Sequence, residues 1–259
     1  MTAAGTTVVA GTGVGAGASL QAGIRVEGLR KRFGRFEVLK GVDFEAAPGR
    51  VTALVGPNAA GKSTLIKAML GLVRLRPGDG RITVAGAVVN GDEDYRSRIG
   101  YMPQAARFPD HLSPREVLGL IGSLRPASTP QDRELLERFD LAEAFDRPVR
   151  TLSGGTRQKL NAAVAFLFRP AVLILDEPTA GLDPIAAGVF KDKVRRVAEA
   201  GCTVLLTSHI LTEVEELAHD IVFLTEGRVA FRGTIPALLA QAGETRLEPA
   251  VAALMERDR

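Results

Sequence analysis

Residues 56–64 read Gly56-Pro57-Asn58-Ala59-Ala60-Gly61-Lys62-Ser63-Thr64. This is the spacing G-x-x-x-x-G-K-[ST] in full, a pattern whose chemistry is phosphate binding. Backbone N–H groups of such a loop point inward, and the N-terminus of the helix that follows adds partial positive charge. Lys62 is placed to reach β- and γ-phosphates, and the Ser63 hydroxyl to hold Mg²⁺. A second chemistry-bearing pair, Asp176-Glu177, directly follows the apolar run Ala171-Val172-Leu173-Ile174-Leu175. It therefore sits at the C-terminal end of a strand, where α/β sheets place ligands. A solvated acidic pair is the bland alternative, and a phosphate loop in the same chain argues against it. His209 ends the strand-like run Thr203–Thr207 in the same way, although a lone histidine at a helix start is more often structural. Ser153-Gly154-Gly155 opens a helical pattern and is a further candidate anion site, or else an ordinary loop.

These residues need particular elements to hold them. Val51–Val55 is a short β-rich run bounded by Gly49 and Gly56, and Leu65, Met69 and Leu72 follow at helical spacing. The phosphate loop thus lies between a strand and a helix. Ahead of it, Ile24–Glu27, Glu37–Leu39 and Val42–Glu45 read as strands. Phe33 and Phe36 bracket Gly34-Arg35, and an aromatic there can stack on a base or pack a turn. Arg81–Val84 adds a strand, and Arg98–Gln104 is an extended segment that ends in a Pro-Gln loop. Residues of about 105–168 then turn helical. Ser113-Pro114-Arg115-Glu116 is a capping box with proline at the first helical position. Thr129-Pro130-Gln131-Asp132 predicts another helix start, with Leu135, Leu136 and Phe139 as its apolar stripe. Leu160, Val164 and Leu167 share one face after Gln158. Asp183-Pro184 predicts an N-cap, Thr212–Ala218 a helix with Glu213, Glu215 and Glu216 on a solvated face, and Asp220–Phe231 a hairpin. Residues 234–259 alternate apolar and charged residues at helical spacing and read as an accessory helical tail.

Composition bounds the rest. A chain of 259 residues, 46% apolar and 24% charged, is of ordinary globular make-up. A net charge of +3 is too slight an excess to indicate nucleic-acid binding. Cys202, the one cysteine, excludes an intrachain disulfide and reads as a buried thiol. No apolar run approaches the roughly 18 residues needed to cross a bilayer, so a membrane role requires another chain. Residues 1–22 carry no charge and no periodic apolar face, which predicts a disordered extension.

In order along the chain, these motifs resemble the ATP-binding cassette (ABC) ATPase family over residues of about 24–232. Phe33 in Lys31-Arg32-Phe33-Gly34 is similar to the family's adenine-stacking aromatic, residues 56–64 to its P-loop and Gln104 to its Q-loop. Leu152-Ser153-Gly154-Gly155-Thr156-Arg157-Gln158 is similar to its signature motif, Leu173–Glu177 to its Walker B strand, Gly181-Leu182-Asp183 to its D-loop and His209 to its switch histidine. The chain departs at Ala59, where the family usually has glycine; a positive φ there would strain an alanine.

The resemblance implies an α/β P-loop NTPase core sheet with an antiparallel β subdomain and a helical insertion, spanning 23–233. It implies ATP and Mg²⁺ as ligand and cofactor, with Ser63, Gln104 and Asp176 toward the metal and Glu177 as general base. His209 and Gln104 would sense the γ-phosphate. Ser153, Gly154, Gly155 and Gln158 would act in trans on the ATP of a second copy or paralogue, with Asp183 in the D-loop. It implies integral membrane permease partners, no nucleic acid, and a peripheral position on the cytoplasmic face of the inner or plasma membrane. Rival members of the family are soluble ATPases acting on another macromolecular complex, coiled-coil DNA-repair ATPases and dead regulatory cassettes. The first usually carry two cassettes, the second need a long heptad insertion, and the third lack residues such as Lys62, Glu177 or His209. More finely, Met102-Pro103-Gln104, Arg107-Phe108-Pro109 and Thr151–Asn161 resemble export-type ATPases, in particular the ATPase of the copper-processing transporter of nitrous-oxide reductase maturation.

Overall fold

The computed structural model of the protein describes residues 23–257. The extension expected over 1–22 lies outside the described residues. In chain order the elements are β1 (Ile24–Phe33), β2 (Phe36–Ala46), β3 (Val51–Val55), α1 (Lys62–Met69), β4 (Arg81–Val84), β5 (Ala87–Val88), β6 (Ile99–Met102), α2 (Pro114–Ser123), α3 (Glu134–Arg138), α4 (Gly154–Phe166), β7 (Val172–Asp176), α5 (Pro184–Glu199), β8 (Thr203–Thr207), α6 (Leu211–Leu217), β9 (Asp220–Thr225), β10 (Arg228–Thr234), α7 (Ile235–Ala242) and α8 (Leu247–Arg257).

Two sheets organise them. The smaller is antiparallel, in the order β2-β1-β4-β5, and Phe33 pairs with Phe36 across its first hairpin. The larger runs β10-β9-β3-β8-β7-β6, parallel from β9 to β6 with β10 antiparallel at one edge. Its central strands are buried on both faces, which is why Leu173-Ile174-Leu175 reads as a continuous apolar run rather than an alternation. Side chains still alternate in destination. Leu54, Ile174, Leu205 and Val222 face α1 and the antiparallel sheet, where they meet Leu65, Ile66, Phe44 and Ile82. Ala53, Leu173, Leu206 and Phe223 face the helices of the other layer, among Leu160, Phe166, Phe190 and Val194. Phe166 and Phe190 meet edge to face at 5.8 Å.

Several expectations change. The helix after the phosphate loop stops at Met69, and Leu72, expected on its apolar face, is 62% exposed. Gly71 takes φ +67°, and side chains satisfy the last carbonyls: the Tyr95 hydroxyl donates to Met69 O, and Arg96 to Leu70 O and Gly71 O. The helix expected from Thr129 starts only at Glu134 and lasts one turn and a half. Asp132 is held outside it, because its N–H donates to Leu167 O and its carboxylate accepts from Lys193. The capping box at Ser113 forms in full. The region of 105–168 is less helical than expected, with 3₁₀ turns at Ala142–Ala144 and Val149–Thr151 between its helices. The tail is helical, as α7 and α8, and Thr234 caps it by accepting from Ala237 N.

Candidate active site

In the parallel sheet β3, β8, β7 and β6 are consecutive neighbours, so the loops leaving their C-terminal ends emerge along one edge. Residues 56–64 follow β3, Ser208-His209 follow β8, Glu177 follows β7 and Gln104 lies just past β6. Sheet order alone therefore gathers four motifs that the sequence scatters over more than half its length.

The phosphate loop is shaped by close approach. A Cβ on Gly56 would lie 1.9 Å from Leu224 O, which excludes a side chain there, and Gly61 takes φ +109°, a conformation that strains any other residue. Ala59 does adopt φ +64°, the left-handed conformation that disfavours alanine. Gly61 begins α1 without a side-chain cap, and the first turn carries no acidic residue, which leaves the first N–H groups of the helix for a ligand. The Lys62 ammonium donates to Gly56 O (2.6 Å) and Pro57 O (3.0 Å). Burial lowers its pKa, and the nearby charges of Glu177 and Asp176 oppose that shift. Ser63 is exposed at the helix start.

The acidic pair is held on every side. Glu177 stands at φ +50°, and its N–H lies 3.1 Å from both the carbonyl and the hydroxyl oxygen of Thr207. Its Oε2 accepts from Gln104 Nε2 at 3.0 Å, and its Oε1 lies 2.8 Å from His209 Nε2. The Thr207 hydroxyl donates to Asp176 Oδ1 at 2.6 Å. One step beyond, the Thr179 hydroxyl donates to Glu213 at 2.6 Å, so Glu213 is not on the solvated face expected of it.

Phe33, 49% exposed, sits at the hairpin end of β1 with Lys31 Nζ 5.7 Å from its ring centroid. Ser153, exposed, caps α4 by accepting from Thr156 N at 3.1 Å. Gly154 and Gly155 form the first turn of that helix. Gln158 departs from the expectation that it works across an interface. It is 5% exposed, and its amide reaches Pro178 O and Asn161 within its own chain. Asn161 in turn donates to Pro103 O at 2.8 Å, so this helix braces the loops after β7 and β6. Asp183 caps α5 through Ala186 N (2.8 Å) and pairs with Lys159 at 2.8 Å, whose hydrogen bond is the main cause of its lowered pKa. Sequence reading missed Thr207, Thr179 and Lys159. Only the position of Thr207, last in its strand beside Ser208-His209, offered a signal.

A family profile described as ABC transporter matches residues 39–180. The chain is similar to the daunorubicin resistance ATP-binding protein DrrA3 of Streptomyces coeruleorubidus, with 42% identity over 230 residues, 87% of this chain and 72% of that protein. It is also similar to the lantibiotic transport ATP-binding protein SrtF of Streptococcus pyogenes, with 32% identity over 210 residues, 80% of this chain and 88% of that one. A solved structure described as the ATP-binding subunit of an ABC transporter superposes with a TM-score of 0.82 at 31% identity, over 90% of this chain and 99% of its own.

Proposed function

This chain belongs to the ABC transporter family as an ATP-binding, ATP-hydrolysing subunit, and from that premise we propose how its residues divide the work. One observation carries the reading: the phosphate loop, Asp176-Glu177, His209 and Gln104 leave neighbouring parallel strands along one edge, with both Glu177 oxygens held by Gln104 and His209.

Phe33 stacks on the adenine. The N–H groups of residues 59–64 and Lys62 hold the phosphates, Lys62 leaving the Gly56 and Pro57 carbonyls for the stronger acceptor. Ser63, Gln104 and Asp176 offer the hydroxyl, amide and carboxylate oxygens that suit Mg²⁺, which takes few protein ligands beside phosphate and water. When bound, the metal neutralises charge on the β- and γ-oxygens. Glu177 accepts the proton of the attacking water, while Gln104 and His209 fix its two oxygens and register the γ-phosphate. Ser153, Gly154 and Gly155 close on the γ-phosphate of a second copy or paralogue, and Asp183 lies at that junction.

Residues 23–233 form the ATPase unit, with 105–168 as its permease-facing part and 234–259 as a tail. An open cleft of about 1100 Å³ between the Tyr95–Tyr101 edge and Ile121 of α2, with Leu124 and Arg125 just past its end, offers an integral membrane permease a seat. No helix among the described residues is long and apolar enough to cross a membrane. Membership of the transporter family, not that absence, supports a peripheral position at the cytoplasmic face of the inner or plasma membrane. The names of its relatives, drug resistance and lantibiotic transport, support an export-type system. They lend nothing to the copper-processing assignment, which is set aside.

Glu177→Gln tests the core of this reading. Phosphate release falls about 10²–10⁴-fold while ATP affinity stays within a few-fold of the parent. Turnover close to the parent's removes Glu177 from the base role. Recovery of the chain from cells together with an integral membrane protein tests the permease partnership.

A further inference from the structure

We propose that Thr207 is a positioning residue for hydrolysis, one hydroxyl setting both the aim of the Asp176 carboxylate and the place of Glu177. The proposal rests on the roles given above to those two acids. Thr207 is the last residue of β8 and is 1% exposed. In the parallel ladder it stands opposite Asp176, so the two side chains share a face of the sheet. A threonine hydroxyl has one proton and two lone pairs. Here the proton goes to Asp176 Oδ1 at 2.6 Å, and the oxygen shares the Glu177 N–H with the Thr207 carbonyl, each at 3.1 Å.

The consequences fall on both acids. Asp176 Oδ1 is committed to Thr207, which turns its second oxygen as the one free for Mg²⁺ or its water. Glu177 has its N–H anchored on Thr207 just where its backbone takes the left-handed φ of +50°. Its main chain is thus fixed before Gln104 and His209 fix its carboxylate. Such a partner is not an automatic result of burying a threonine in this sheet. Thr52, 1% exposed on adjacent β3, has no hydrogen-bond partner for its hydroxyl among the described residues.

Thr207→Val keeps the shape and β-branching of the side chain and removes only the hydroxyl. Thr207→Ser restores it. The full chain is titrated with a fluorescent ATP analogue in EDTA and in Mg²⁺, and phosphate release is followed against Mg²⁺ concentration. In EDTA, Thr207→Val binds the analogue like the parent. The Mg²⁺ concentration for half-maximal turnover rises, and turnover falls, each by about 10- to 100-fold, as when a partner orienting a metal ligand is lost. Thr207→Ser returns both to near the parental values.

The proposal is overturned if Thr207→Val matches the parent in Mg²⁺, if its affinity falls equally in EDTA and Mg²⁺, or if Thr207→Ser is as impaired as valine. A parent chain that does not bind the analogue overturns this proposal together with the site itself. A parent that binds, with Glu177→Gln still active, overturns only the base role and leaves the Mg²⁺ shift to decide on Thr207.

Discussion

The phosphate loop and the Ser153 loop are both glycine-bearing entrances to a helix, yet they treat the helix's first N–H groups in opposite ways. At α1 the N-cap is Gly61, which provides no side-chain acceptor, and a neighbouring lysine lies over the loop's own carbonyls. At α4 the N-cap is Ser153, whose hydroxyl takes the Thr156 N–H, and the loop is exposed. The first arrangement is a finished anion cradle. The second is a finished helix end, stable without a ligand, that can add contacts only to something presented from outside. In the arrangement proposed above, a preformed half and a borrowed half make a site that is complete only on assembly.

Three substitutions sharpen or break this contrast. Lys62→Ala strikes the preformed half, and equilibrium titration should show ATP affinity falling by about 100-fold, the scale of one or two charge-assisted hydrogen bonds. Ser153→Arg strikes the borrowed half. Titration should show the single chain binding ATP like the parent, while phosphate release drops at least about tenfold because the bulky cation blocks closure; unaltered turnover breaks the contrast. Ala59→Gly relieves a left-handed alanine worth about 1 kcal/mol, and because that φ is already present without nucleotide, denaturant unfolding should show the gain as stability while ATP affinity stays within about twofold. Binding about fivefold tighter means that the loop becomes more strained on binding.

The smallest effect concerns anchoring. Glu134 on α3 accepts from Lys193 and Arg196 of α5, and the Arg196 hydrogen bond is the first cause of a pKa lowered from 4.5 to about 2. A depressed folded-state pKa stabilises fully above 4.5, and that contribution is lost as pH falls toward about 2. Amide hydrogen exchange should therefore show α3 loosening on acidification before α1 does. Simultaneous loss places the two regions in one cooperative unit.

The sequence made the main chemistry legible because that chemistry depends on local spacing. The phosphate loop, the apolar β7 run with its acids, and the caps at Ser113 and Asp183 are all set by a few adjacent residues. Ala59, standing where the family usually has glycine, takes φ +64°. What escaped depends on distant partners. The early stop of α1 needs Tyr95 and Arg96, and the late start of α3 needs Lys193 and Leu167 O. Gln158 sits inside a motif associated with exposure but is drawn inward by Pro178 and Asn161. Thr207 meets Asp176 only through the pairing of β8 with β7.

The solitary cysteine turns the strand that carries Thr207 into a clock. Cys202 directly precedes β8, is buried, and has a thiol that burial pushes up to about 12, so it reacts negligibly while that strand is in place. With no second cysteine to compete, the rate at which a thiol reagent labels the chain counts the openings of β8. The same vial can be read with and without nucleotide, and no probe need be introduced.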